Sequence, residues 1–147
     1  MNLCIDQGNS RTKIALFKKD GRIVKNLLYK SFTSADVERL FSLYPITQSI
    51  VSSVANMEPA VINALNRLSK KFVLFDHLTP LPIKNCYQTP ETLGHDRIAA
   101  AVGAAHMSPG QNLLIVDAGS AVTYDFVSAE QGYLGGNIAP GIKMRLT

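Results

Sequence analysis

The sequence predicts an α/β fold, with one layered domain of strands and helices followed by the beginning of a second domain on the same plan. Three observations predict it. Short apolar runs bounded by turn residues come first as three strands, and then alternate with helical stretches. The helical stretches carry apolar stripes, Val37, Leu40, Phe41 and Tyr44 in one and Val61, Ile62, Leu65 and Leu68 in the other. Finally, a scheme of apolar strand, Asp, any residue, Gly and hydroxyls occurs at Leu3 to Arg11 and again at Leu113 to Thr123. Its aspartates lie 111 positions apart (6 to 117), longer than a solenoid repeat and close to one domain length.

Leu3 to Ile5, Thr12 to Phe17 and Ile23 to Tyr29 read as an antiparallel meander, with Lys18-Lys19-Asp20-Gly21 as its second turn. Thr33 or Ser34 caps the first helix, and Pro45 stops it. Ile46 to Val54 is an apolar strand with serines at its exit. Glu58 to about Lys71 is a second helix with Pro59 in its first turn, and Phe72 to Phe75 is a short buried strand. Three antiparallel strands followed by helix, strand, helix, strand is the order of a ribonuclease-H-like α/β domain.

From Asp76 to Leu93 the text turns polar and proline-rich, with Pro80, Pro82 and Pro90, and reads as a linking loop. Tyr87 is its one aromatic residue, either a pocket wall or a loop anchor. Gly94-His95-Asp96-Arg97 opens a helix to about Met107, with Ile98, Ala101, Val102 and Ala105 on one face and Gly103 leaving room for close packing. A second hairpin follows Asn112, and then a glycine-rich strand and bend, Gly132 to Gly141, before Ile142 begins a helix. The expected domains are 1–93, ribonuclease-H-like with its linker loop, and 94–147, the linking helix and the incomplete start of a duplicated domain.

With 147 residues and 46% hydrophobic content the chain can bury a core. No apolar run approaches the roughly 18 residues of a membrane span, and nothing reads as a leader, so a soluble, cytoplasmic protein is expected. Cys4 and Cys86 have neither CxxC spacing nor a disulfide framework, which fits a reducing compartment. The net charge of +4 is uneven. Residues 1–84 hold 12 Lys/Arg against 6 Asp/Glu, and residues 85–147 hold 3 against 5. The basic residues are not interleaved with aromatic residues, so solvated strand edges and hairpin tips are expected rather than nucleic-acid binding. His77 has no metal-ligand spacing to any His or Cys.

The turns carry the chemistry. Gly8-Asn9 suits the positive φ angles of a tight hairpin, and Asp6-Gln7-Gly8-Asn9-Ser10-Arg11 gathers backbone N–H groups, an amide and a hydroxyl beside one carboxylate. Donors with a single carboxylate suit a phosphate held with a metal ion. Two such turns facing each other could grip the phosphates of a nucleotide. Asp96 has two possible roles, as an N-cap for its helix or as a proton acceptor for a substrate hydroxyl, with Arg97 binding an anionic or carbonyl group. P-loop, GxGxxG, HExxH and GxSxG patterns do not occur.

Four stretches in order, Asp6 to Arg11, Gly94 to Arg97, Asp117-Ala118-Gly119-Ser120-Ala121-Val122-Thr123-Tyr124-Asp125, and Gly135-Gly136-Asn137-Ile138-Ala139-Pro140-Gly141, together resemble type III pantothenate kinases. That family belongs to the actin-like ATPase superfamily of acetate and sugar kinases. The resemblance spans the whole chain. It implies phosphorylation of pantothenate by ATP, the first step of coenzyme A synthesis, with Mg²⁺ and a monovalent cation (K⁺ or NH4⁺). It also implies a homodimer whose interface helps to form the pantothenate pocket, with no membrane partner.

By the same resemblance Asp6 is the Mg²⁺-associated aspartate, and Gly8, Asn9, Ser10 and Arg11 form the first phosphate turn. Gly119, Ser120 and Thr123 form the second phosphate turn, and Asp117 serves the monovalent cation. Asp96 is the general base, Gly94, His95 and Arg97 bind substrate with it, and Tyr87 lines the vitamin pocket. Ser10 and Ser120 stand where the family often has Thr, which keeps the hydroxyl. Family members have two complete domains, so a truncated or separately expressed portion is expected, with activity in isolation in doubt. A transcriptional accessory member of the same family, or a kinase of the superfamily acting on another small molecule, are the alternative readings.

Overall fold

The structure, a computed structural model, describes residues 1–8, 11–53, 57–119 and 121–145, the side chain of Lys143 excepted. The chain divides into two compact units, Met1–Asp76 and His77–Thr147.

The first unit runs β1 (Asn2–Gln7), β2 (Thr12–Phe17), β3 (Ile23–Tyr29), α1 (Ser34–Leu43), β4 (Gln48–Ser53), α2 (Pro59–Leu68) and β5 (Lys71–Leu74). Its sheet is ordered β3-β2-β1-β4-β5, antiparallel across the first three strands and parallel from β1 to β4 to β5. This is the ribonuclease-H-like arrangement that the order of elements predicted. Alternation along β1 puts Leu3 and Ile5 on one face, opposite Leu16 and Ile14 of β2. Onto that face α1 and α2 lay Val37, Leu40, Val61, Ala64 and Leu65, all buried. Helix α1 starts with a reciprocal cap, in which the Asp36 N–H donates to Thr33 Oγ1 and the Thr33 N–H to Asp36 Oδ2. Cys4, on the other face of β1, is a free thiol whose pKa burial pushes up.

Because β1 is central and parallel to β4, the C-terminal ends of the two strands share one edge of the sheet. There Ser53 Oγ donates to Gln7 Oε1 at 2.9 Å. Ligands of open α/β sheets bind beyond such strand ends.

The second unit contains a single 3₁₀ turn (Pro90–Thr92), α3 (His95–Met107), β6 (Leu113–Ala118), β7 (Ala121–Ser128), β8 (Gly132–Pro140) and a one-turn α4 (Ile142–Arg145). The three strands form an antiparallel meander, as β1 to β3 do. Helix α3 packs against β6 and β7, where Ile98, Ala101, Val127 and Tyr133 are buried. On the opposite face Leu114, Val116, Tyr124 and Phe126 stay exposed.

The stretch from residue 77 to 93, expected to trail from the first domain, lies within the second unit. Strand β8 has a free edge, and its unpaired backbone groups capture the loop. The Cys86 N–H donates to Tyr133 O and the Tyr133 N–H to Lys84 O, both at 2.8 Å, while Asn85 bridges to Tyr133 in parallel. At Gly132, with φ of 92°, a side chain would collide with the Lys84 carbonyl.

Candidate functional site

The first candidate turn follows β1. The Asp6 carboxylate is half exposed and lies 3.7 Å from Lys13 Nζ, its neighbour across the β1–β2 pair. The Gly8 N–H donates to Arg11 O at 3.0 Å, so this N–H closes the hairpin and does not join an outward set of donors as expected. Gly8 also lies outside the positive-φ region that its pairing with Asn9 suggested. A Cβ on Gly8 would meet only Arg11 O, at an ordinary 3.5 Å. Neither backbone angle nor internal crowding therefore calls for glycine at this position. Arg11 is exposed; Asn9 and Ser10 lie outside the described residues.

The second turn repeats these features. The Gly119 N–H donates to Ala121 O at 2.9 Å, and a Cβ there would again find ordinary contact, at 3.6 Å. Asp117 is exposed at the end of β6 and pairs in register with Thr123 of β7. Ser120 lies outside the described residues.

The third group is the start of α3. Gly94, not Asp96, is the N-cap residue, and no side chain caps this helix. Asp96 sits in the first turn, is exposed, and accepts the Arg97 N–H on Oδ1 at 2.9 Å. A Cβ on Gly94 would come within 2.6 Å of that oxygen, so glycine leaves the carboxylate its position. His95 is half-buried at the first helical position. Gly103 makes no close contact, since a Cβ there would find nothing within 4 Å.

Arg97 is held by side chains to which sequence reasoning assigned no role. Its side chain is 7% exposed and faces the carboxylate of Asp125, 1% exposed, on β7. Arg97 Nε donates to Oδ1 and Oδ2 at 3.1 and 3.2 Å, and Nη2 donates to Oδ1 at 2.6 Å. Tyr133 OH, on β8, donates to the same Oδ1 at 2.6 Å. Tyr87 completes the group, with its ring 5.9 Å from Arg97 Cζ and 6.2 Å from the Tyr133 ring. It fits against Gly135, φ 102°, where a Cβ would stand 2.8 Å from Tyr87 Cδ2. The Asp125 hydrogen bond pushes the Arg97 pKa up, and burial followed by the same carboxylate pushes the Tyr133 phenol well above its ordinary range.

The structure thus gathers Arg97 and Tyr87 with two residues to which sequence reasoning assigned no role, Asp125 and Tyr133. The signal for Asp125 was present as an acidic residue on the inward-facing set of a strand, between Thr123 and Val127. Among the described residues no group of three or more His, Cys, Asp or Glu side chains could hold a metal ion by itself. A phosphate-bound Mg²⁺ keeps most of its water and needs only one or two carboxylates, and the half-exposed carboxylate of Asp6 fits that requirement. No helix among the described residues is long and apolar enough to cross a membrane.

A family model described as type III pantothenate kinase matches residues 2–147. The type III pantothenate kinase of Phocaeicola vulgatus is 43% identical over 145 residues, covering 99% of this chain and 60% of its own length. That of Christiangramia forsetii is 42% identical over 146 residues, with the same coverage. The chain spans about 60% of the length of these curated relatives. Among solved structures, a ROK family protein from Streptococcus pneumoniae aligns over 97% of this chain and 49% of its own, with a TM-score of 0.47 and 14% identity.

Proposed function

The chain belongs to the type III pantothenate kinase family, and from that premise we propose that the protein carrying it transfers the γ-phosphoryl group of ATP to the primary alcohol of pantothenate. The observation that carries this reading is the start of α3. There an exposed carboxylate, Asp96, stands in the first turn of a helix whose next residue is locked in place.

In this reading Asp96 accepts the alcohol proton as the oxygen attacks phosphorus, so Asp96 ends protonated and ADP leaves. Phosphoryl transfer asks for alignment and charge neutralisation more than for a strong base, which suits an exposed carboxylate on a fixed helix. Tyr87, Gly94, His95 and Arg97 shape the alcohol site. Asp125 already neutralises Arg97, so this arginine contributes shape and its remaining N–H donors more than net charge.

The turns after β1 and β6 take the phosphates in this reading. Gly8 and Gly119 are glycine without internal cause, and the close approach of a ligand to the backbone supplies one. Asn9, Ser10, Arg11, Ser120 and Thr123 add side-chain donors. Mg²⁺ near Asp6 and K⁺ or NH4⁺ near Asp117 would neutralise charge on the phosphate oxygens when bound. A cytoplasmic homodimer belongs to the same reading, and sedimentation tests it. The activity is tested by incubating the protein with ATP, Mg²⁺, K⁺ and pantothenate and following ADP release. Release that depends on pantothenate is expected, and its absence from the intact protein overturns the proposal.

A further inference from the structure

Asp125 lies two residues along β7 from Thr123, and the alternation of the strand puts both on the face that α3 covers. Two residues of strand span about 7 Å. The carboxylate that grips Arg97 therefore fixes the beginning of α3 about two such steps along β7 from Ala121, the residue that accepts the Gly119 N–H and closes the turn. Two neighbours of Arg97 follow from that grip, one on the helix and one in the loop before it. Asp96 precedes Arg97 and accepts its N–H, and the Tyr87 ring lies over the Arg97 guanidinium.

A buried ion pair is a poor source of stability, because desolvation offsets the attraction between its charges. What this one supplies is geometry. A planar guanidinium meets a carboxylate through Nε and Nη2, and Tyr133 fixes that carboxylate from a third strand. Chains 28 residues apart are joined at a defined distance and angle, with Gly135 making room for the ring beside them.

We infer that Asp125 is a positioning residue for the alcohol substrate: with Tyr133 it holds Arg97, and through Arg97 it sets Asp96 and Tyr87 relative to the β6–β7 phosphate turn. The inference rests on the proposed kinase reading and adds to it two residues that touch neither the alcohol nor the phosphate.

The test compares wild type, Asp125→Asn and Tyr133→Phe in the intact protein that carries this chain, with KM measured separately for pantothenate and for ATP. In Asp125→Asn the pantothenate KM rises about tenfold or more and the ATP KM stays within about twofold, since the change falls on the alcohol side alone. A loss of folded protein would lower kcat and leave both KM values in place, so this split separates positioning from structure. If Asp125→Asn does not fold, Tyr133→Phe carries the test. It keeps the ion pair and removes one hydrogen bond, and a rise of about threefold in the pantothenate KM is expected. An unchanged pantothenate KM in whichever variant folds overturns the inference while wild-type turnover leaves the kinase reading standing. A wild-type protein without pantothenate-dependent turnover overturns both.

Discussion

Arg97 on α3 and Asp125 on β7 form a buried ion pair, with Nη2 and Oδ1 2.6 Å apart and side chains 7% and 1% exposed. The pair joins the first turn of a helix to the middle of a sheet. Asp96 is the residue before that link and accepts the Arg97 N–H.

Removing one partner leaves the other charged and buried. Asp125→Leu should cost about 3 to 5 kcal/mol of unfolding free energy, whereas Arg97→Met with Asp125→Leu should recover most of that loss. Urea denaturation of both variants checks it, and a double variant no more stable than the single one would refute it.

The Tyr133 phenol donates to Asp125, and burial and that carboxylate hold its pKa above the ordinary value. A group whose folded pKa is raised contributes stability that is fully present below its unfolded value, about 10 for tyrosine, and lost as pH rises toward the folded one. Wild type should therefore lose stability above about pH 10 more steeply than Tyr133→Phe. The alkaline absorbance titration of wild type should also show a late phenolate phase that the variant lacks. Parallel stability curves would contradict this.

Asp96→Asn keeps an oxygen that can accept the Arg97 N–H and removes the proton acceptor. Turnover should fall by about a hundredfold or more. Unfolding free energy should change by less than about 1 kcal/mol, because Gly94 rather than Asp96 caps the helix. Steady-state kinetics beside thermal denaturation measures both, and retained activity would leave Asp96 with a structural part only.

Gly8→Ala separates fold from function at the first turn. Its Cβ would meet Arg11 O at 3.5 Å and its φ is not positive, so stability should stay within about 0.5 kcal/mol. If phosphate approaches the backbone there, the KM for ATP should rise about tenfold or more. An unchanged ATP KM would count against phosphate binding at this turn.

Most of the first unit was legible in the residues because its signals are local. Leu3 and Ile5 alternate, Val37 and Leu40 share a helical face, and Thr33 and Asp36 cap one another three residues apart. The likeness of the two Asp-x-Gly turns was legible as well, but not that each glycine N–H is taken up in closing its own turn. The loop before α3 was not, since its polar and proline-rich text does not reveal that β8 offers a free edge to Lys84 and Cys86.

The sequence by itself determined the order of strands and helices, the repeated turns and the acidic residue that opens α3, because each is written in spacings of two to four residues. Only the tertiary structure decided that Arg97 is spent on Asp125, that Tyr133 and Gly135 place Tyr87, and that Gly94 rather than Asp96 caps the helix. Those choices depend on strand register and on the packing of α3 over β7. A contact between positions 97 and 125 takes shape only when the backbone between them has folded, and no local pattern encodes it.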